Sequence, residues 1–201
     1  MTEETNVPWA WVRAVRDILS KAPYESEEQP VELLPWLYLC DWRCVSAFDP
    51  IQGSGRILET GITHVLTTCR MPGVEKLRNR LASAGIEYMA VMGRDEERYD
   101  MIGQHWEECY SFIRSVRDKE DKKIVVHCLA GQNRSGLLAA AAMMVLERRH
   151  LLDVVRHIKA KRGVVLTNLS FQKQLCLLAQ NEGLLGDKPK GYSDEPVEYL
   201  Y

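Results

Sequence analysis

One twelve-residue segment constrains this chain more than any other. Val125-Val126-His127-Cys128-Leu129-Ala130-Gly131-Gln132-Asn133-Arg134-Ser135-Gly136 starts as an apolar strand, turns through a glycine and opens a helix. Ile124, Val125 and Val126 offer no polar face to water, so this strand has to be covered on both sides. Strands of that kind alternate with helices in an α/β sandwich built on a central, mostly parallel sheet flanked by helices. The helix start that follows presents unpaired N–H groups and the positive end of a dipole, a natural anion site. Gly131 permits the backbone angles that turn several amides inward.

The side chains in this loop carry matching chemistry. Cys128 lies at the strand end, where the amides and Arg134 favour its thiolate. Arg134 has a planar fork that holds two oxygens of a phosphate while the third faces other donors. Ser135 is placed to donate to the thiolate when a phosphocysteine is hydrolysed, a role compatible with that of a plain helix-start hydroxyl. The competing reading, a buried cysteine beside a surface arginine, leaves the coincidence of nucleophile, anion cradle and charge clamp unexplained.

Elsewhere the pattern alternates between helix and strand. Pro8 to Lys21 carries a helical apolar stripe, and Ala22 to Pro30 is a polar connector with two prolines. Val31 to Cys40 reads as a strand region, Asp41 to Ile51 as short helix and loop, and Gly53-Ser54-Gly55 as a turn. Strands are expected over Ile62–Thr68 and Ile86–Val91, with a helix over Gly73–Ala84 between them. Asp100 caps a helix from Met101 to about Val116, with Ile102, Trp106, Cys109, Tyr110, Ile113 and Val116 inward. Helical patterns then fill Arg134–Arg149, Leu151–Lys161 and Leu169–Asn181, the last behind Asn168 as a cap. The domain reading is an N-terminal helix and connector over 1–30, a catalytic domain over 31–184, and a mobile tail over 185–201.

Composition narrows the function classes. The 201 residues, 46% hydrophobic and 27% charged, read as one globular domain. A net charge of -2 argues against bulk attraction to nucleic acid or an anionic membrane. The longest apolar run, Leu137 to Leu146, falls short of the roughly 18–20 residues that span a bilayer. Met1-Thr2-Glu3-Glu4 suits neither a signal peptide nor myristoylation, so a cytoplasmic or nuclear location is expected. Six cysteines in such a chain are expected to stay reduced. Cys40 and Cys44 lack the second ligand pair that a structural zinc needs, so no metal is expected and most of the thiols read as small buried hydrophobes.

His127-Cys128-x5-Arg134-Ser135 resembles the signature of the cysteine-dependent tyrosine phosphatases. Ala130-Gly131-x-x-Arg134-Ser135-Gly136 is similar to the small, atypical dual-specificity branch of that superfamily. Leu34-Pro35-Trp36-Leu37-Tyr38-Leu39 and Gly61-Ile62-Thr63-His64-Val65-Leu66 look like its opening strands, and Asn168-x-x-Phe171-x-x-Gln174-Leu175 like its last helix, so the resemblance covers about residues 31 to 182. It implies that His127 supports the loop, that the amides of Leu129, Ala130, Gly131, Gln132, Asn133 and Arg134 surround the phosphate, and that no cofactor or metal is used. It also implies a general acid some thirty residues before the cysteine. Asp95 lies 33 residues before Cys128 and seven after Tyr88, between a strand and a helix. Glu96 and Glu97 are rivals, while Asp100 is better explained as a cap.

Three positions keep open readings. Cys69 ends a strand where some relatives, a lipid phosphatase among them, place a redox partner of the nucleophile; simple packing is the alternative. Asn168 caps a helix and is also placed to brace the phosphate loop. Arg148-Arg149-His150 is either a contact for a second phosphate or a solvated helix end. The function expected is hydrolysis of phosphotyrosine and phosphoserine or phosphothreonine in a phosphorylated protein substrate, through a phosphocysteine. The alternatives are the same chemistry on a phosphoinositide, an RNA 5′-triphosphate or a phosphoglucan, and a non-catalytic phosphoprotein-binding module.

Overall fold

The computed structural model describes residues 7–21, 29–48, 55–70 and 73–196. In chain order the elements are α1 (Trp9–Ser20), β1 (Val31–Leu34), β2 (Leu37–Cys40), α2 (Trp42–Ser46), α3 (Arg56–Glu59), β3 (His64–Thr67), α4 (Val74–Ser83), β4 (Glu87–Ala90), α5 (Met101–Arg117), β5 (Ile124–His127), α6 (Arg134–Leu146), α7 (Leu151–Arg162) and α8 (Leu169–Asn181). The five strands form one sheet in the order β1-β2-β5-β3-β4. All neighbours are parallel except β1 and β2. The apolar run at 124–126 therefore becomes the central strand, and every residue of β5 is buried.

Alternation along the strands divides the core in two. Leu37, Leu39, Leu66, Ile124 and Val126 face one layer, shared with α1, α5, α6, α7 and α8. Tyr38, Cys40, Val65 and Val125 face the other, closed by Phe48, Ile57, Leu77 and Leu81. The helix after the phosphate-loop segment, α6, is buried continuously from Ser135 to Met144. A helix apolar all round belongs inside a protein, and its alanines let the neighbouring helices come close.

The element boundaries refine the sequence reading in three places. Val31–Cys40 is not one strand but an antiparallel hairpin, with Pro35 and Trp36 in the turn; proline has no N–H to give to a ladder. The helix expected to reach Arg149 stops at Leu146, with Arg148 at φ 49° just beyond it. The tail has no helix or strand through Pro196, yet it is tied to α1: Trp11 Nε1 donates to the Leu185 carbonyl at 2.9 Å and Tyr192 Oη to Asp17 at 2.9 Å. Most of the 22–30 connector, the end of the 41–51 stretch, and Gly53 and Ser54 of the expected turn lie outside the described residues.

Candidate active site

Three parallel strands end in one row. Cys40 on β2 and Thr67 on β3 are both register partners of His127 on β5. The row fixes the root of the loop. Thr68 donates to the His127 carbonyl through both its amide and its hydroxyl, each at 2.9 Å. The His127 ring is fully buried, with Nδ1 3.4 Å from the Cys128 carbonyl and Nε2 2.7 Å from Thr67 Oγ1. A proton on Nδ1 serves the carbonyl and leaves Nε2 to accept from the threonine. Burial pushes the His127 pKa down to about 4, so the ring is neutral at physiological pH.

Beyond Cys128, five carbonyls in succession are drawn outward. Leu129 O accepts from Trp42 N at 3.2 Å, Ala130 O from Arg162 Nη2 at 3.1 Å, and Gly131 O from Arg162 Nε at 3.2 Å. Gln132 O accepts from Leu166 N at 3.1 Å and Asn133 O from Leu137 N at 2.8 Å. A trans peptide directs its N–H opposite to its carbonyl, so the amides of residues 130–134 are directed away from these partners. Successive amides turned to one side make an anion-binding concavity. Gly131 is indispensable to that turn: its φ is +65°, and a Cβ there would stand 2.5 Å from the Cys40 carbonyl oxygen.

The side chains around this concavity meet at the nucleophile. Cys128 is buried, and Ser135 Oγ donates to its Sγ at 3.2 Å. Arg134 reaches the Gly93 carbonyl at 3.5 Å through Nη1, while its buried Nε has no hydrogen-bond partner among the described residues. A buried guanidinium N–H is costly to leave without an acceptor, and a phosphate oxygen is the acceptor this position fits.

The strand–helix connection that follows β4 brings in the acid candidate. Asp95 is exposed, and each of its oxygens accepts one amide N–H: Oδ2 from Asn133 Nδ2 at 3.1 Å, Oδ1 from Asn168 Nδ2 at 3.0 Å. Asn168 also caps α8, accepting from the Ser170 and Phe171 amides. Glu96 and Glu97 are exposed beside it, and Asp100 caps α5 through the Gly103 amide at 2.8 Å. Thus Asp95, and not its rivals, is bonded to the loop.

Cys69 packs against Cys128, with Trp42 and Val74 around the pair. Burial pushes its pKa up to about 11, against the opposing pull of the Arg134 charge and the Leu129 amide. Two large apolar side chains are exposed among the described residues, Met92 at 54% and Leu129 at 59%. One adjoins Cys128 in sequence and the other the Gly93 that Arg134 touches.

Arg162 holds the loop in a way that sequence reading passed over. It closes α7 just before Gly163, where a cation is expected to sit in solvent beside the helix dipole. Instead it is 2% exposed and holds two carbonyls of the loop. Trp42, Thr67 and Thr68 were likewise missed, because nothing in their local sequence ties them to residues 127–129.

Residues 51–181 match the dual specificity phosphatase catalytic domain. The chain is 31% identical over 149 residues to dual specificity protein phosphatase 26 of Homo sapiens, an alignment covering 73% of this chain and 65% of that protein. It therefore spans 65% of that relative's length. Among solved structures, human DUSP28 superposes with a TM-score of 0.64 at 19% identity, covering 79% of this chain and 98% of that one. DUSP15 superposes with a TM-score of 0.59 at 25% identity, covering 82% and 97%.

Proposed function

The chain belongs to the dual-specificity phosphatase family, and we propose from that premise that it hydrolyses phosphotyrosine and phosphoserine or phosphothreonine in proteins, through a phosphocysteine. The observation that carries this reading is the run of five outward carbonyls from Leu129 to Asn133, in a loop that starts at Cys128 and ends at Arg134. Residues 31–184 form the catalytic domain in this reading, and α1 docks on it through α7 and α8.

Two in-line displacements account for the residues. The Cys128 thiolate attacks phosphorus, the P–O bond to the leaving group breaks, and Asp95 gives that oxygen its proton. Water then attacks the phosphocysteine and passes its proton to Asp95, while the S–P bond breaks. Ser135, already donating to Sγ, stabilises the departing thiolate. The Arg134 guanidinium and the amides of Ala130, Gly131, Gln132, Asn133 and Arg134 hold the equatorial oxygens, whose charge is fixed in place through both steps. In this reading Cys69, which packs against Cys128, captures the sulfenic acid of an oxidised Cys128 as a disulfide, with loss of water.

The exposed, apolar Leu129 and Met92, next in sequence to Cys128 and Gly93, favour a peptide neighbour over a multiply phosphorylated headgroup. A reducing compartment, cytoplasm or nucleus, suits chemistry that depends on a free thiolate. No helix among the described residues is long and apolar enough to cross a membrane.

The test is a vanadate-sensitive aryl phosphate assay with wild type and Cys128→Ser, followed by phosphopeptides, inositides, triphosphorylated RNA and phosphoglucan. Turnover of phosphopeptides, abolished in Cys128→Ser with ester binding kept, is the expected result. Full activity in the serine variant would end the mechanism, and turnover confined to a non-protein ester would replace the substrate.

A further inference from the structure

The side chain of Asn133 does work that the backbone cradle does not require. Its Oδ1 accepts from the Asn168 amide at 3.1 Å and from Thr167 Oγ1 at 3.1 Å. A backbone N–H can only donate, so this contact fixes which end of the carboxamide is oxygen and turns Nδ2 toward Asp95. Asn168 is oriented by the same logic. Its Oδ1 is taken by the Ser170 and Phe171 amides, so its Nδ2 faces the other oxygen of Asp95.

We propose that Asn133 is a positioning residue for proton transfer: with Asn168 it latches the Asp95 carboxyl to the phosphate loop, one donor on each oxygen. This rests on the phosphatase reading given above. The residues from Val91 to Glu96 have no helix or strand of their own, so nothing periodic aims Asp95. A carboxyl oxygen has two lone-pair directions. One on each oxygen is occupied by an asparagine, which leaves the second on either oxygen for the proton given to the leaving group and later taken from water. Both protonation states keep both accepted bonds, so the carboxyl does not have to reorient between the two displacements. Because Asn133 immediately precedes Arg134, the group that aims the acid and the group that clamps the phosphate move as one piece.

The prediction separates aiming from folding. General acid help matters in proportion to how poorly the leaving oxygen departs. In Asn133→Ala, kcat/KM for phenyl phosphate should fall by about thirtyfold, and for an ester of a strongly acidic fluorinated phenol by about threefold. Asn133→Asp keeps the oxygen that accepts from Thr167 and Asn168 and replaces the donor with an oxygen facing Asp95. It should behave like the alanine variant or worse. If Asn133 merely braces the 167–168 segment, Asn133→Asp will match wild type, and the latch is wrong. Equal losses on both esters in Asn133→Ala would overturn it as well, while leaving the phosphatase reading intact. A wild-type protein that hydrolyses neither ester removes both.

Discussion

The phosphate loop and the segment carrying Asp95 meet at the same site, but they are held in different ways. From Leu129 to Asn133 every carbonyl is engaged, by groups from α2, α6, α7 and the 163–168 connection, and a buried arginine supplies two of the donors. The Asp95 segment has no regular structure, is exposed at Arg94 to Arg98, and is tied to the loop by side-chain amides and one long contact to Gly93. The difference fits the chemistry proposed for the two segments. An anion cradle has to be rigid before the phosphate arrives, because its value lies in dipoles that need no reorganisation. The group that moves a proton has to be aimed, yet it serves a leaving group on the solvent side.

This contrast predicts that damage to the acid segment costs rate, whereas damage to the loop's supports costs stability. The largest effect is expected for Asp95→Asn, which should lower kcat on aryl phosphates by about 10²–10⁴ while shifting unfolding free energy by less than about 0.5 kcal/mol. Steady-state kinetics and urea unfolding on one preparation decide it; a large loss of stability would mean that the segment is structural after all. Arg162→Met, on the loop side, leaves one buried carbonyl, that of Gly131, and one part-buried carbonyl, that of Ala130, without donors. It should cost about 2–3 kcal/mol in urea unfolding, mostly from the buried Gly131 acceptor at roughly 1–3 kcal/mol, and weaken phosphate binding with it. A variant as stable as wild type would show that the loop holds its own shape.

A smaller effect is expected from the root of the loop. Burial lowers the His127 pKa from 6.5 to about 4, so between those values the unfolded chain binds more protons than the folded one. The contribution of His127 is therefore complete above pH 6.5 and is lost as pH falls toward 4, by up to about 3 kcal/mol. Denaturant titrations across that window should show a shallower pH dependence in His127→Gln. An unchanged slope would mean that other groups carry the acid sensitivity.

Much of this arrangement was legible because the decisive residues are contiguous. The strand, the glycine turn and the helix start follow one another, and their patterns of burial and propensity agree, so β5, the loop and α6 were placed with near-correct bounds. Asp95 was singled out by the position that the family resemblance implies for an acid, with Glu96 and Glu97 as rivals. Arg162 was not, since a cation in a last helical turn is ordinary, and only the docking of α7 beneath the loop makes it a buried donor. The strand region at 31–40 was read without its turn, because Pro35-Trp36 lies within the dense apolar and aromatic stretch from Leu33 to Leu39. Asn133 was assigned a backbone role alone; the partner of its side chain lies 38 residues away, a relation that no local pattern encodes.

The row in which Cys40, His127 and Thr67 stand side by side also bears on when the site exists during folding. Thr67 and His127 are 60 residues apart in sequence, and Cys40 is more distant still. Pairings of such separation close large loops and form late compared with helices. The cradle can take shape only after β2, β5 and β3 have aligned, because Trp42 and Thr68, which hold its two sides, lie just beyond the ends of the strands flanking β5. Recovery of activity on refolding should therefore lag behind recovery of helical signal.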